Sequence, residues 1–347
     1  MTNVMCPIEN HDTPHCSLKG PGDMIGITGK SGKGDKNMII EVNNLVKRYK
    51  DLVALDHFNL QVKTGEIYGL LGPNGSGKTT AINCMLALLK YDRGDIRLFG
   101  GPMTPNNLAS KRKIGVVMQN VAVFNELTVY ENIDYFCGMY VPEKKRRKEL
   151  VEEAIEFTDM GDYRKFLPDK LSGGLLRRLN IACGIAHKPE LIFMDEPTVA
   201  VDPQSRNSIL EGIKKLNQNG ATIVYTSHYM EEVEQICSRI MIMDRGKEIA
   251  SGTKEELKGL IRAGEKVTVE LGELPLPVME EIRKTEGVLK AEYDNKLLQV
   301  RCESGGHSLI LILDLLRRNE LYFGRIFSEP PTLNDVFLEI TGKELRD

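Results

Sequence analysis

At 347 residues, with 41% hydrophobic and 27% charged side chains, the chain is long enough for two globular domains and a sizeable core. A net charge of −3 and a pI near 6.2 leave no basic field, so nucleic acid is not expected as a partner. The longest apolar runs, Ala81–Leu89 and Leu309–Leu316, fall short of the roughly 18–20 residues that cross a bilayer. Met1–Lys30 lacks the basic and apolar regions of a secretory signal. The expectation is a cytoplasmic chain that reaches a membrane only through a partner. Seven scattered cysteines without a CxxC pair fit reduced, mostly buried thiols.

Residues 1–37 are rich in Gly, Pro, Lys, Asp and His without apolar periodicity, and read as a disordered tail. Cys6, His11, His15 and Cys16 are metal-binding residue types, but their spacing fits no zinc pattern. Gly26–Gly34 (GITGKSGKG) echoes a phosphate loop without the strand and helix that such a loop needs.

From Met38 the pattern becomes globular. Ile39–Val42 is a short β-type run, and Ile67–Leu71 is an apolar strand. Next comes Gly72-Pro73-Asn74-Gly75-Ser76-Gly77-Lys78-Thr79-Thr80, a GxxxxGK[ST] motif, and a helical run opens at Ala81. Its glycines let backbone N–H groups curl round phosphate oxygens, and the helix adds its positive N-terminal end. Lys78 can reach β- and γ-phosphates, and the Thr79 hydroxyl can ligate Mg²⁺.

Gly115–Met118 reads as a further strand, ending at Gln119. Asn120–Phe136 is rich in apolar and aromatic residues, divided between core and surface. The basic run Lys144–Lys148 reads as a solvated helix start, ahead of a helical pattern over Lys148–Phe157. Leu171-Ser172-Gly173-Gly174 precedes a helix over Leu176–Ala186 and again offers backbone donors to an anion.

Leu191–Met194 is a buried strand with two carboxylates, Asp195 and Glu196, at its C-terminal end, where open α/β sheets bind ligands. Asp195 suits Mg²⁺, and Glu196 suits polarising an attacking water. A helix over Ser205–Asn217 and a strand over Thr222–Thr226 complete an α/β domain with a mainly parallel sheet.

Near Gly264 the style changes. Strands at Val267–Leu271, Val288–Tyr293, Leu297–Cys302 and Tyr322–Phe327 alternate with helices at Val278–Thr285 and Leu309–Arg318. The order β-α-β-β-α-β suggests a small ferredoxin-like domain, closed by a helix around Leu333–Thr341.

These motifs resemble the ATP-binding cassette family over roughly Ile39–Leu260. Gly72–Thr79 looks like its phosphate loop and Leu171–Gly174 like its signature, with Leu175 where Gln is usual. The resemblance implies a P-loop NTPase fold with a helical subdomain over about 120–187 and an antiparallel β subdomain, in a nucleotide-binding domain of 38–262. An accessory α+β domain of 263–347 would follow. It implies that Gln119 touches Mg²⁺ and senses the membrane subunit, that His228 contacts the γ-phosphate, and that Tyr49 stacks on adenine. Asp202 matches the D-loop aspartate, and Ala200 stands where many relatives carry Gly. In this family two domains sandwich two ATP molecules head to tail, each ATP meeting the phosphate loop of one and the signature of the other. One motif set per chain therefore implies dimerisation, most simply with a second copy, and a separate membrane permease.

Pro331–Gly342 and Val199–Arg206 look like the corresponding segments of daunorubicin-type resistance exporters. That implies an exporter ATPase at the inner face of the cell membrane, with drug, antibiotic, peptide or lipid cargo. The rivals are weaker. A soluble cassette ATPase acting on ribosomes or nucleic acid generally carries two cassettes per chain. A chromosome-maintenance ATPase would need a long coiled-coil insertion. A regulator without turnover would not need Glu196 and His228.

Overall fold

The computed structural model describes residues 37–261, 263–303 and 308–342. The Cys6–Cys16 cluster and the Gly26–Gly34 loop of the sequence reading lie outside them.

β1 (Met38–Tyr49) and β2 (Leu52–Lys63) form an antiparallel hairpin whose inward residues, such as Val42, Leu45, Leu55, Phe58, Leu60 and Val62, are buried. β3 (Ile67–Leu71) is buried throughout and leads through the glycine loop into α1 (Lys78–Met85). β4 (Arg93–Leu98) and β5 (Gly101–Pro102) return to the hairpin, giving an antiparallel sheet in the order β2-β1-β4-β5.

After the short α2 (Leu108–Lys111) and β6 (Ile114–Val117) come three helices: α3 (Val129–Gly138), α4 (Lys144–Phe157) and α5 (Gly173–Ile185). α3 starts at a capping box in which Thr128 and Glu131 exchange side-chain-to-backbone hydrogen bonds. The helices share a core around Val129, Ile133, Val151, Leu179 and Ala182.

The chain returns through β7 (Leu191–Asp195), α6 (Pro203–Gln218), β8 (Thr222–Ser227), α7 (Met230–Ile236), β9 (Arg239–Asp244) and β10 (Lys247–Gly252). The central sheet runs β10-β9-β3-β8-β7-β6, parallel except for β10 at its edge. Both faces are covered, as parallel sheets require. Leu191 and Phe193 pack towards the antiparallel sheet and α1, while Ile192 and Met194 pack towards α5 and α6. This period-two division explains why the parallel strands read as unbroken apolar runs.

α8 (Lys254–Lys258) leads to β11 (Ala263–Leu271), α9 (Leu276–Lys284), β12 (Val288–Asp294), β13 (Leu297–Glu303), α10 (Ser308–Arg318) and β14 (Phe323–Glu329). Their sheet is antiparallel in the order β12-β13-β11-β14, the ferredoxin-like arrangement, with Val267, Val269, Ile282, Leu298 and Ile312 in its core. α11 (Leu333–Thr341) leaves this unit and packs Leu333, Val336 and Phe337 into the core formed with α7 and α8. The Arg301–Asp335 ion pair at 2.9 Å ties β13 to α11.

Elements extend beyond the sequence expectation where polar residues hid them. α4 begins at Lys144 rather than Lys148, so the basic run forms its first turn. α5 begins at Gly173 rather than Leu176, and β1 runs on to Tyr49.

Candidate nucleotide site

In the parallel register Leu71 lies beside Ser227 and Thr226 beside Asp195. The C-terminal ends of β3, β8, β7 and β6 therefore stand side by side. They bring together the glycine loop, His228, Asp195–Glu196 and Gln119 from positions far apart in the chain.

The loop's shape depends on its glycines. A Cβ on Gly72 would lie 2.3 Å from the Met243 carbonyl oxygen, and one on Gly77, at φ +109°, would lie 2.7 Å from that of Ala54. The Ser76 N–H donates to the Pro73 carbonyl at 3.1 Å, and the Ser76 carbonyl accepts from the Gly246 N–H at 2.8 Å. Asn74 and Gly75 stand exposed, Pro73 and Thr80 are half-buried, and the buried Ser76 Oγ meets no hydrogen-bond partner.

Lys78 is 5% exposed. Its Nζ donates to the carbonyls of Gly72 (2.7 Å) and Pro73 (3.2 Å) and lies 3.3 Å from Glu196 Oε1. Burial pushes the ammonium below the ordinary lysine range, and the charges of Glu196 and Asp195 oppose that shift.

Asp195 is buried at the end of β7. Its Oδ1 accepts from Thr226 Oγ1 at 2.6 Å and its Oδ2 from Thr79 Oγ1 at 2.8 Å. An oxygen-only pair of this kind fits a hard cation such as Mg²⁺, which is commonly held by one carboxylate together with substrate phosphates.

Glu196 follows with a positive φ of 48°. Its backbone N–H donates to Thr226 Oγ1 at 3.0 Å. Its Oε2 accepts from Gln119 Nε2 at 3.3 Å and lies 3.3 Å from His228 Nδ1, though not in hydrogen-bond alignment.

The remaining expected residues lie apart. Tyr49, about half exposed, ends β1, with Lys47 Nζ 4.9 Å from its ring centroid. Ser172 caps α5, its Oγ accepting from the Leu175 N–H at 3.3 Å. Gly174 faces the start of α6, where a Cβ would lie 2.6 Å from Ser205 Oγ. Asp202 caps α6 by accepting from the Ser205 N–H at 3.0 Å, and this hydrogen bond holds its carboxyl below the usual range. Among the described residues no hydrogen bond or ion pair joins Ser172, Gly173, Gly174 or Asp202 to the Lys78–Glu196–His228 group.

Three supporting residues escaped the sequence reading. Thr226 serves both carboxylate positions, as above. Arg177 donates to the Met118 (3.1 Å) and Gln119 (2.9 Å) carbonyls. Asn180 donates to the Met118 carbonyl and accepts from the Ala122 N–H. Only Thr226 carried a signal, its place at a strand end directly before Ser-His.

A glycine loop at a helix start, a lysine in it, and a paired carboxylate and histidine at neighbouring strand ends define a P-loop ATPase. The family model described as ABC transporter matches residues 55–199. The chain is 35% identical over 312 residues to the linearmycin resistance ATP-binding protein of Bacillus subtilis (strain 168), covering 89% of this chain and 100% of that protein. It is 32% identical over 310 residues to the daunorubicin resistance ATP-binding protein DrrA3 of Streptomyces coeruleorubidus, covering 88% of this chain and 97% of that one. A dimeric post-hydrolysis structure of the ATP-binding cassette MJ0796, bound to ADP and Pi, superposes with a TM-score of 0.58 at 28% identity, covering 62% of this chain and 98% of that chain. This chain belongs to the ABC transporter family, and it is an ATP-binding, ATP-hydrolysing subunit. No helix among the described residues is long and apolar enough to cross a membrane.

Proposed function

We propose that the chain powers an exporter by hydrolysing ATP between two copies of itself, docked on a separate membrane permease at the inner face of the cell membrane. The observation that carries this reading is the Glu196 carboxylate, held 3.3 Å from each of Lys78, Gln119 and His228, groups from three different segments. A buried carboxylate aimed at a phosphate loop is placed to polarise a water for attack on the γ-phosphate.

In this reading the backbone N–H groups of Gly72–Thr80 and the Lys78 ammonium bind the ATP phosphates, and Tyr49 stacks on adenine. Thr79, Asp195 and Gln119 would hold Mg²⁺, which when bound would supply neutralisation of the phosphate charge. His228 orients the γ-phosphate beside Glu196. Ser172, Gly173 and Gly174 of the partner copy close over the same nucleotide, and Asp202 lines the seam between copies. Gln119 reports the state of the site to the permease. ATP binding favours the closed pair and hydrolysis loosens it, a population shift driven by differential affinity. Similarity to resistance ATP-binding proteins over most of the chain supports export of a drug, antibiotic, peptide or lipid cargo.

The test is ATP turnover by Glu196→Gln. Its kcat is expected to fall about 100-fold or more while ATP still binds. Turnover near the wild-type rate would remove Glu196 from this role. Co-purification of the wild-type chain with an integral membrane protein tests the exporter assignment.

A further inference from the structure

Glu232, in the first turn of α7, is a buried carboxylate outside the nucleotide site, 2% exposed. Its Oε2 accepts three hydroxyl hydrogen bonds: from Thr198 at 2.8 Å, Tyr225 at 2.7 Å and Ser227 at 2.9 Å. Its Oε1 faces Arg206 Nε at 3.3 Å without hydrogen-bond alignment. Burying a carboxylate is unfavourable unless it is paired and hydrogen-bonded, and here three hydroxyls on Oε2 and the Arg206 charge beside Oε1 offset that cost. Burial and the Glu232 charge push the Tyr225 phenol up, which keeps its proton available to donate.

The donors come from two stretches beside the catalytic strand ends: the segment from Glu196 into α6, and the C-terminal end of β8. Thr198 lies two residues after Glu196, and Arg206 lies on α6 just past Asp202. Ser227 immediately precedes His228, and its Oγ also accepts from the Tyr229 N–H at 2.9 Å. The turn carrying His228 is thus clamped on both sides through one hydroxyl. Beyond it, the Arg206 guanidinium sits 4.8 Å from the Tyr229 ring centroid, and that ring lies 4.1 Å from the His228 ring. Glu232 therefore reaches His228 by two routes, the Ser227 hydroxyl and the Arg206–Tyr229 stack.

We infer that Glu232 is a positioning residue for ATP hydrolysis, holding the His228 turn in fixed register with the Glu196–Asp202 segment. The inference rests on the proposed role of His228. A two-state loop on either side would be locked into one arrangement by this shared carboxylate. Side-chain placement errors of about 1 Å at a catalytic group cost on the order of 100-fold in rate, so even a small shift of His228 is measurable.

The experiment is a double-mutant cycle on the full chain with Glu232→Gln and His228→Ala, reading ATPase kcat, KM for ATP and Tm. Gln keeps the volume and removes the charge that draws Arg206 and the three hydroxyls together. The expected result is a kcat loss of about tenfold or more for Glu232→Gln, with KM changed by less than about threefold, a ground-state binding term left intact. Added to His228→Ala it should slow turnover by no more than about twofold further, as for two residues acting through one group. Glu232→Asp, which keeps the charge, should recover part of kcat. Unchanged kcat, or losses that multiply in the double variant, would overturn the inference while leaving the role of His228 standing. Wild-type turnover by His228→Ala would overturn that role and the inference with it. If Glu232→Gln does not fold, Ser227→Ala takes its place in the cycle, with the same expected and overturning results.

Discussion

Among the non-glycine residues near the nucleotide site that hold left-handed backbone are Glu196 at φ 48° and Ala200 at φ 59°. Such conformations cost an L-residue roughly 1–2 kcal/mol and persist where the surroundings over-determine them. For Glu196 the surroundings are visible: Thr226 accepts its N–H, and three side chains hold its carboxylate. For Ala200 the strain is separable from chemistry, so Ala200→Gly should raise Tm by a few degrees, about 1 kcal/mol. A drop in Tm would mean the loop is held by something other than its backbone. Thr226→Val removes the 2.6 Å donor to Asp195 and the side-chain acceptor of the Glu196 N–H at once, leaving that N–H the Thr226 backbone carbonyl at 3.2 Å. It should lower ATPase kcat about tenfold and raise the Mg²⁺ concentration needed for half-maximal rate, which a magnesium titration of the ATPase rate measures. The residues proposed to face the nucleotide were legible because the proposed chemistry dictates their type at a strand end. Thr226, Arg177 and Asn180 were not, because their role is to hold other groups, and a hydroxyl, guanidinium or amide does that at many positions in any sequence.

Burial on both faces made several elements legible, but not all: β9, buried over Ile240–Met243, was not singled out, whereas β14, exposed throughout, was. β3, β7 and β8 are covered on both faces and read as apolar runs, whereas β4, RGDIRL, has only Ile96 and Leu98 inside and gave no signal. β2, β9 and β10 were likewise not singled out; with β2 and β4 both missed, the antiparallel sheet was anticipated only through family resemblance. Among the helices, α3 and α5 are fastened at their far ends by His187, whose ring stacks on Tyr140 at a centroid distance of 3.8 Å and whose Nε2–H donates to the Ile114 carbonyl at 3.1 Å. Burial lowers the pKa of His187. The unfolded chain therefore binds this proton more readily than the folded one, and the linked stability falls as pH drops below roughly 6.5. His187→Phe keeps a ring against Tyr140 and removes the titration. The Tm difference between wild type and variant should shrink from pH 7.5 to pH 5.5, and a difference independent of pH would exclude His187 as the group responsible.

At the scale of the whole molecule, the ferredoxin-like unit and the cassette share more than a linker. Leu333, Val336 and Phe337 of α11 are buried within the cassette's own core beside Val233, Ile236, Leu257 and Ile261. At about 1.5–3 kcal/mol for each large apolar side chain, the helix contributes on the order of 5 kcal/mol or more to the cassette. A chain ended after Glu329 should melt more than about 10 °C lower than the full chain, and calorimetry would show it. An unchanged melting temperature would mean the cassette closes without α11. The helix was anticipated around Leu333–Thr341, where the structure places it, but its destination was not. Nothing in a local pattern says which of two cores an amphipathic face will join.

That placement also sets an order of events during synthesis. Chains leave the ribosome N-terminus first and domains fold as they emerge, yet the apolar surface left by α7 and α8 cannot be covered until the segment around Phe337 is outside the exit tunnel. A nascent cassette thus waits, with its sheet formed and one flank bare, while the entire ferredoxin-like unit is translated. For that interval the growing chain is a client for chaperones, and codon usage or stalling between Ala263 and Glu329 would lengthen its exposure.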